Sequence, residues 1–341
     1  MDAKSLNVAP SLLDWYDAHR RDLPWRSPPG DTPDPYRVWV SEVMLQQTTV
    51  ATVRPRFEAW ISRWPSVAAL AAASEAEVMA AWAGLGYYAR ARNLHAAAKT
   101  LAAHGFPRTE AGLRALPGFG AYTAAAVAAI AWGERAVVVD ANVERVVSRL
   151  HAIETPLPQS RPTIRKAADA LTPVARAGDF AQAMMDLGAT ICSLKRPRCL
   201  LCPVRPWCDA YASGEPDRYP VKTPKPDRPQ RHGTVFWLEH RGRVLLHRRS
   251  PRGLLGGMRA LPTGPWEAEP PGLADAPADT AWRMLPGTVE HGFTHFRLTL
   301  ALAAGEGTGE EAGEWWPIED LGGAGLPTVF ARAAEALRRS R

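Results

Sequence analysis

Cysteine is scarce in this chain and is confined to one short segment. The only four cysteines, Cys192, Cys199, Cys202 and Cys208, fall within seventeen residues in the spacing C-x6-C-x2-C-x5-C. Four thiolates that converge on one centre favour zinc or an iron–sulfur cluster over hard cations. Zinc usually takes two C-x2-C arms, whereas only Cys199 and Cys202 form such a pair, so the spacing favours a cluster. Two local disulfides are the alternative reading.

Long apolar runs are also absent, because Arg and Glu interrupt every candidate segment. A membrane-spanning helix needs about 20 consecutive apolar residues, so none is predicted. The N-terminus lacks the charged, apolar and small-residue regions of a signal peptide. We therefore expect a cytoplasmic protein that does not contact a membrane, which also argues against disulfides.

The last third of the chain lacks net charge. Residues 231–341 carry 13 Lys and Arg against 13 Asp and Glu, whereas residues 1–230 carry 28 against 22. The first part is therefore expected to attract a polyanion. Four basic residues lie among or beside the cysteines: Lys195, Arg196, Arg198 and Arg205. They suit phosphate groups, and they also offset the negative charge of thiolates.

The 341 residues allow two domains, and no internal repeat is found. Between Ser11 and Asp209, apolar residues recur every three or four positions, which predicts a mainly helical region over residues 1–213. The predicted helices include Pro35–Thr49, Ser74–Gly84, Leu94–Gly105, Tyr122–Trp132 and Asn142–His151. Residues 214–231 contain five prolines with Lys222, Lys225 and Arg228, a composition typical of an extended linker.

A smaller α+β domain is predicted over residues 232–341. Its strands are predicted at Thr234–Glu239, Arg243–His247 and Phe296–Ala301, with a turn at Arg241–Gly242 and a final helix from Pro327.

The segment Leu116–Thr123 precedes an alanine-rich helix and contains Gly118 and Gly120. Two glycines two apart allow a tight turn, and they leave N–H groups uncovered at a helix N-terminus. That geometry accepts a phosphate group. A Gly-x-Gly alone is a weak signal, but the sequence around it is more specific.

This segment resembles the hairpin of the helix–hairpin–helix DNA glycosylases. About twenty residues later, the segment from Val137 to Asn142 supplies the aspartate, Asp140, that this family places after its hairpin. The cysteine spacing resembles the 4Fe–4S loop of the endonuclease III branch. Within that branch, the segments Ser41–Thr48 and Gly84–Arg90 resemble the adenine DNA glycosylases. The resemblance covers nearly the whole chain and implies a 4Fe–4S cluster as cofactor.

Tyr122 occupies the position where bifunctional members of the superfamily carry a lysine that forms a Schiff base with the sugar. A phenol cannot form an imine, so lyase chemistry by that route is excluded. Glu42 lies in an apolar helical segment, where a charged residue needs a reason. Without the resemblance, it reads equally well as a glutamate on the solvent face of an amphipathic helix.

The resemblance implies that two carboxyl groups share the cleavage of the glycosidic bond. Glu42 is expected to protonate N7 of adenine. Asp140 is expected to stabilise the sugar cation, as an anion or as a nucleophile at the anomeric carbon. Tyr122 and Asn142 are expected to orient these groups and the water.

Further positions are assigned to the substrate and the DNA by the same resemblance. Arg26 is expected to line the adenine pocket, and Asp186 to support the site or to act as a structural cap. Gln47, Leu85 and Tyr87 are expected to fill or probe the duplex once the base has left the stack. The hairpin residues Gly118, Gly120 and Thr123 complete the predicted DNA contacts.

The second domain resembles the Nudix-like C-terminal domain of the adenine DNA glycosylases, with the segment Leu254–Pro262 matching a loop of that domain. No Gly-x5-Glu-x7-Arg-Glu box is present, so nucleotide hydrolysis is not expected. Phe293, Thr294 and His295 resemble its lesion-reading loop, although a serine is usual where Thr294 stands. A strand-edge threonine and a satisfied histidine are the structural alternative.

The sequence thus predicts a monofunctional adenine DNA glycosylase of base excision repair. Its expected partner is double-stranded DNA with A:8-oxoguanine or A:G mispairs, and the enzyme is expected to be a monomer associated with the nucleoid. A thymine or pyrimidine glycosylase of the same fold is the first alternative. A non-catalytic DNA-binding protein whose cluster senses redox state is the second.

Overall fold

The computed structural model describes residues 3–28, 31–223, 227–250 and 253–340. The chain forms two compact units, one of residues 1–72 with 93–224 and the other of residues 73–92 with 225–341. The first unit is helical, and the second contains a six-stranded sheet with helices. The predicted fold class, a mainly helical region followed by a smaller α+β domain, is therefore confirmed.

Helices α1 to α12 precede the sheet. In chain order they are α1 (Ala3–His19), α2 (Pro35–Met44), α3 (Val50–Arg63), α4 (Val67–Ala72), α5 (Glu75–Ala81), α6 (Ala89–His104), α7 (Glu110–Arg114), α8 (Ala121–Trp132), α9 (Ala141–Leu150), α10 (Arg161–Leu171), α11 (Ala177–Thr190) and α12 (Asp209–Ala212). The predicted helix over Pro35–Thr49 ends earlier, at Met44, because the chain turns at Gln47, where φ is 57°.

Helix α8 lies at the centre of the first unit. Its residues from Thr123 to Ala129 are all buried, and its neighbours are α2, α7 and α11. Five of those seven residues are alanine, whose small side chain allows other helices to approach on every side. Helix α8 therefore holds α2 and α11, two helices that carry candidate site residues, in fixed positions.

The sheet of the second unit has the strand order β3-β2-β1-β5-β4, with β6 paired to β2. The strands are β1 (Gln230–His240), β2 (Arg243–Arg248), β3 (Arg259–Ala260), β4 (Arg283–Gly292), β5 (Arg297–Glu306) and β6 (Glu314–Pro317). Strands β1 and β5 are parallel, with Val235 opposite Leu302, and the other pairs are antiparallel. Helix α13 (Thr328–Arg339) packs on this sheet through Val329, Phe330 and Leu337.

The predicted linker over residues 214–231 is only partly an extended segment. Residues Pro216–Arg218 form a short 3₁₀ helix, and the N–H of Leu157 donates to the carbonyl of Val221 at 2.9 Å. Strand β1 begins at Gln230, so the last two residues of the predicted linker belong to the sheet. Backbone hydrogen bonds override the proline-rich composition there. Residues 224–226 lie outside the described residues.

No helix in the described part of the chain has both the length and the apolar character needed to cross a membrane.

Candidate active site

Glu42 is a buried carboxyl group on α2. Glu42 is 5% exposed, and its Oε2 accepts a hydrogen bond from the hydroxyl of Tyr122 at the start of α8. The same hydroxyl lies 3.6 Å from the sulfur of Met185 on α11. The alternative of a solvent-facing glutamate is therefore excluded, because three packed helices enclose the side chain.

Burial raises the pKa of Glu42 to about 7. The neighbouring Asp140 raises the pKa further, whereas the hydrogen bond from Tyr122 and the charge of Arg26 lower it. Burial also raises the pKa of Tyr122, with the carboxylates of Glu42 and Asp140 acting in the same direction. The phenol therefore stays neutral near neutral pH, and Glu42 keeps a substantial protonated fraction there.

Asp140 is the N-cap residue of α9. Its Oδ1 accepts from the N–H of Val143 at 2.7 Å, and its Oδ2 accepts from Nδ2 of Asn142 at 2.8 Å. A negative charge is favoured at a helix N-terminus, where backbone N–H groups point towards it. The cap and the Asn142 amide hold the carboxylate in one orientation, half-exposed beside the Tyr122–Glu42 pair.

Glu42 lines a pocket with Arg26, Leu45, Gln182 and Met185. The guanidinium of Arg26 donates to both oxygens of Asp186, at 2.6 and 2.7 Å, so its planar face is fixed. This agrees with the prediction that Arg26 lines a pocket.

Asp186 itself has no exposed surface, so it does not contact a ligand directly. Although burial acts against ionisation, the hydrogen bonds and charge of Arg26 lower the pKa of Asp186. Arg21 adds a hydrogen bond of 2.6 Å. Of the two roles considered for Asp186, the structure favours support of the pocket through Arg26.

The predicted hairpin is present at Leu116–Gly120. Gly118 has φ of 76°, and a Cβ there would lie 2.7 Å from Cβ of Asn93. A Cβ on Gly120 would meet nothing within 4 Å, and among the described residues no side chain caps α8 at Gly120. Gly120 and Ala121 are exposed, so the start of α8 is open to solvent, which suits a phosphate.

Thr123 does not contribute a surface group. It is 1% exposed, and its hydroxyl accepts from Nε2 of Gln46 at 3.0 Å. Its side chain is therefore not open to DNA, because position 123 faces the core of the first unit, and the predicted DNA contact at Thr123 stays a prediction for its backbone alone. Its hydroxyl instead holds the chain just before Gln47.

Two of the three predicted duplex probes are exposed. Gln47 and Tyr87 both have left-handed backbone angles, with φ of 57° and 46°, and Tyr87 is 52% exposed. Strain of this kind in a non-glycine residue is typical of functional positions. Leu85 is 5% exposed and packs inside, so in this structure it is not in a position to fill a duplex.

Phe293, Thr294 and His295 lie in a tight turn between β4 and β5. The N–H of Phe293 donates to the carbonyl of Phe296 at 2.9 Å, and Thr294 and His295 are exposed at the tip. Within the second unit, the hydroxyl groups of Thr294 and Tyr87 lie 3.2 Å apart. Two of the predicted recognition residues, 207 positions apart in sequence, are thereby brought together.

The four cysteines are free thiols, so neither local disulfide is present. In the described ranges, no three His, Cys, Asp or Glu side chains are arranged as a metal site. The chemistry of the donor set nevertheless fits a soft metal centre, since all four donors are thiols, and Cys192, Cys202 and Cys208 pack against the same apolar cluster. Burial, with smaller effects of the neighbouring thiols, raises the pKa of Cys202 to about 12.

Two buried arginines on α9 were not identified from the sequence. Nε of Arg145 donates to the carbonyl of Cys192 at 2.7 Å, and its Nη2 donates to Oδ1 of Asn142 at 2.9 Å. Nη1 of Arg149 donates to Sγ of Cys192 at 3.2 Å and to the carbonyl of Ser193 at 2.7 Å. They join the cysteine segment to the helix that Asp140 caps.

The sequence around the two arginines does not predict their role, because their side chains donate to carbonyl groups that are distant in sequence. Gln182, which shares the pocket with Glu42, was also missed. Its position three to four residues before Met185 and Asp186 on one helix face was the only available hint.

Replacing Glu42 by glutamine should change how stability depends on pH. Because the folded pKa of about 7 exceeds the ordinary 4.5, the folded state retains a proton that the unfolded chain releases. The free energy of unfolding of the unmodified protein should therefore fall as pH rises from 5 to 8, by up to about 3 kcal/mol from this group.

Urea denaturation at pH 5 and pH 8 measures this effect. From pH 5 to pH 8, the free energy of unfolding of the unmodified protein should fall by about 1–3 kcal/mol more than that of Glu42→Gln. The control Glu58→Gln changes an exposed residue of α3 and should follow the unmodified protein. Identical pH dependence in Glu42→Gln and the unmodified protein would contradict the assignment.

Two family models match the chain. The model described as HhH-GPD superfamily base excision DNA repair protein matches residues 40–173, and a NUDIX domain model matches residues 234–336. Among solved structures, a thermostable thymine-DNA glycosylase is similar, with a TM-score of 0.55 and 27% identity over 62% of this chain and 97% of that chain.

Curated relatives agree with these matches. An adenine DNA glycosylase of Arabidopsis thaliana is 40% identical over 293 residues, which cover 74% of this chain and 46% of the relative. The adenine DNA glycosylase of Mycolicibacterium smegmatis is 45% identical over 203 residues, which cover 58% of this chain and 68% of the relative. The match thus spans about half the length of the plant relative. With this identity and coverage, the chain belongs to the adenine DNA glycosylase family.

Proposed function

We propose that this chain is a monofunctional adenine DNA glycosylase of base excision repair, which removes adenine opposite 8-oxoguanine or guanine. The observation that carries the proposal is the pair of carboxyl groups beside Tyr122. Glu42 is buried in a pocket with a raised pKa, and Asp140 is half-exposed and held by a helix N-terminus. Two carboxyl groups in such different environments suit an acid and an anion in one reaction.

Glu42 supplies the proton in the proposed reaction. Adenine is a poor leaving group until a ring nitrogen is protonated, and a carboxyl with a pKa of about 7 keeps its proton in roughly half of the molecules at pH 7, far more than an ordinary glutamate does. Protonation at N7 allows the electron pair of the glycosidic bond to move to the base. Tyr122 keeps the acid in place through its hydrogen bond.

Asp140 faces the sugar in the proposed reaction. As the base leaves, the sugar becomes an oxocarbenium-like cation, which a carboxylate stabilises by charge or by a transient bond to the anomeric carbon. Water then adds at that carbon, displacing any bond to Asp140, and its proton returns to the Glu42 carboxylate, giving an abasic site and free adenine. The amide of Asn142, which donates to Asp140, orients the carboxylate and the attacking water.

The absence of an amine at position 122 makes the enzyme monofunctional. A lysine there would attack the sugar and cleave the strand through an imine, whereas a phenol with a raised pKa cannot. Strand cleavage is therefore left to another enzyme.

The partner is double-stranded DNA that contains the mispair. The uncapped start of α8 is suited to a backbone phosphate, and Gln47 and Tyr87 are exposed to probe the duplex. The hydroxyl of Thr294, beside that of Tyr87, supports a role in reading the base opposite adenine. The protein would act as a monomer in the cytoplasm, at the nucleoid, without membrane contact.

Cys192, Cys199, Cys202 and Cys208 would hold a 4Fe–4S cluster. When bound, such a cluster stiffens its loop and contributes net charge near the surrounding basic residues. Arg149 would stabilise the loop by donating to Sγ of Cys192 and to the carbonyl of Ser193.

A thymine glycosylase is the second candidate, because a solved structure of that type is similar in fold. A non-catalytic DNA-binding protein is a third candidate, although that function does not require a buried Glu42 with a raised pKa. Excision assays on duplexes with A opposite 8-oxoguanine, G, C and T, and with a T:G mispair, separate the three. The proposal requires excision of adenine and no excision of thymine.

Glu42→Gln and Asp140→Asn should each abolish base excision and leave DNA affinity largely unchanged. Each substitution keeps the shape but removes the proton or the charge, so the single-turnover rate should fall roughly 10² to 10⁴-fold. Matched controls are Glu58→Gln and Asp14→Asn, which change exposed carboxyl groups. A near-normal rate in either variant would assign that residue a structural role.

The purified protein should be yellow-brown and contain about four iron atoms and four sulfides per chain. Cys199→Ser should reduce the iron content and weaken DNA binding, more than it slows excision at saturating enzyme. Metal analysis, visible absorption and a binding titration measure these effects. Colourless protein with stoichiometric zinc would refute the cluster.

Replacing Thr294 and His295 together by alanine should reduce the preference for 8-oxoguanine over guanine. A base contact contributes about 1–3 kcal/mol of discrimination, so the ratio of the two dissociation constants should fall roughly ten- to a hundredfold. Both titrations use one salt concentration. Thr288→Ala, an exposed threonine of β4, is the control. An unchanged ratio in the double variant would show that this turn does not read the lesion.

A further inference from the structure

We infer that Trp266 is a positioning residue for recognition of the oxidised base, because its ring is the platform on which the turn Phe293–Phe296 rests. This inference depends on the proposed function, and within it on the turn as the reader of 8-oxoguanine. Trp266 lies outside the motifs that suggested that function.

The turn has an apolar underside and a polar tip. The ring of Phe293 stacks on Trp266 at a centroid distance of 5.4 Å and an angle of 25°, and the ring of Phe296 contacts it at 6.0 Å. Thr294 and His295, between the two phenylalanines in sequence, are exposed. Both phenylalanines therefore anchor on one indole, and that contact directs the two polar side chains outward.

The position of Trp266 is itself fixed from several sides. A Cβ on Gly233 of β1 would lie 2.7 Å from Cδ1 of the indole, so the strand fits the ring only because it carries glycine there. The indole Nε1 lies 3.3 Å from Oγ1 of Thr263, to which it donates. The guanidinium of Arg249 lies 5.0 Å above the ring, and Phe330 of α13 contacts it at 6.4 Å.

Single contacts also reach the turn from other sides. Nη1 of Arg228 donates to the carbonyl of Phe293 at 3.1 Å, the ring of His291 lies 4.6 Å from that of Phe293, and the guanidinium of Arg231 lies 4.9 Å from the ring of Phe296. Each of these contacts reaches one of the two phenylalanines, whereas Trp266 contacts both. A short exposed turn without its platform would sample several conformations, and binding would then have to order it. The turn can favour the oxidised base only if its hydrogen-bonding groups are in place before DNA binds. Removing the platform should therefore reduce selectivity more than it reduces the rate of excision.

Trp266→Leu in the full chain tests this inference. Dissociation constants are measured for duplexes that carry a non-hydrolysable adenosine analogue opposite 8-oxoguanine or guanine. The dissociation constant for the guanine duplex divided by that for the 8-oxoguanine duplex should fall roughly five- to tenfold, an effect of the size expected when an aromatic pair is removed. The single-turnover rate of adenine excision opposite guanine should stay within about twofold, and Trp266→Phe should recover most of the ratio.

Two further variants keep the test decisive. Trp282→Leu is the control, because Trp282 is a half-buried tryptophan of the same unit that packs on Phe236, away from the turn. It should retain the ratio of the unmodified protein. Should Trp266→Leu fail to fold, Gly233→Ala, which displaces the ring by contact, should lower the ratio in the same direction.

An unchanged ratio in Trp266→Leu, or an equal loss in Trp282→Leu, would overturn the role of Trp266. If only the double variant of Thr294 and His295 loses the preference for 8-oxoguanine, the turn still reads the lesion and only the role of Trp266 is refuted. If the unmodified protein does not prefer the 8-oxoguanine duplex or does not excise adenine, the proposed function itself fails.

Discussion

The burial of one carboxyl group is the constraint on which the candidate site depends. Glu42 projects from α2 towards α8 and α11, and the loss of water around it raises its pKa to about 7. An apolar setting of this kind is costly for an ionised side chain, and it is tolerated when the group keeps its proton and has a hydrogen-bond partner. Six of the eight buried residues of helix α8 are alanine, which allows the three helices to meet closely enough to create that setting.

The N-terminus of α9 organises the second half of the site. Asp140 caps this helix, Asn142 donates to Asp140, and Arg145 joins Asn142 to the carbonyl of Cys192. Arg149, one turn later, donates to the sulfur of the same cysteine. One helix therefore carries the proposed anion at its start and secures the cysteine segment along its buried face, so the two features are mechanically connected.

Much of this arrangement could be predicted from the sequence, and the exceptions have physical reasons. The helices were predictable because their apolar residues recur at helical spacing, and Glu42, Tyr122 and Asp140 stand in recognisable motifs. Strand β4 was missed because a Pro–Gly pair interrupts it, with an irregular register between Leu285 and Thr288 and φ of 86° at Gly287. The motifs predict DNA contacts at Thr123 and Leu85, whose side chains are buried, because a motif does not reveal which side of the backbone faces inward.

Long-range contacts were the least predictable part. Arg145 and Arg149 resemble ordinary polar positions of an amphipathic helix until the carbonyls that they satisfy are known. Trp266 lies in a segment rich in proline and acidic residues, and only the fold brings it under the turn at Phe293. Tyr87 and Thr294 meet for the same reason.

The central claim is that a protonated Glu42 drives departure of adenine, and the pH dependence of single-turnover excision tests it most directly. With DNA saturated by enzyme, the rate should be highest at low pH and fall as pH rises through about 7, approaching a tenfold loss per pH unit above it. The fall reports the loss of the proton that the base must receive. A rate that stays constant from pH 5 to pH 9 would contradict the account.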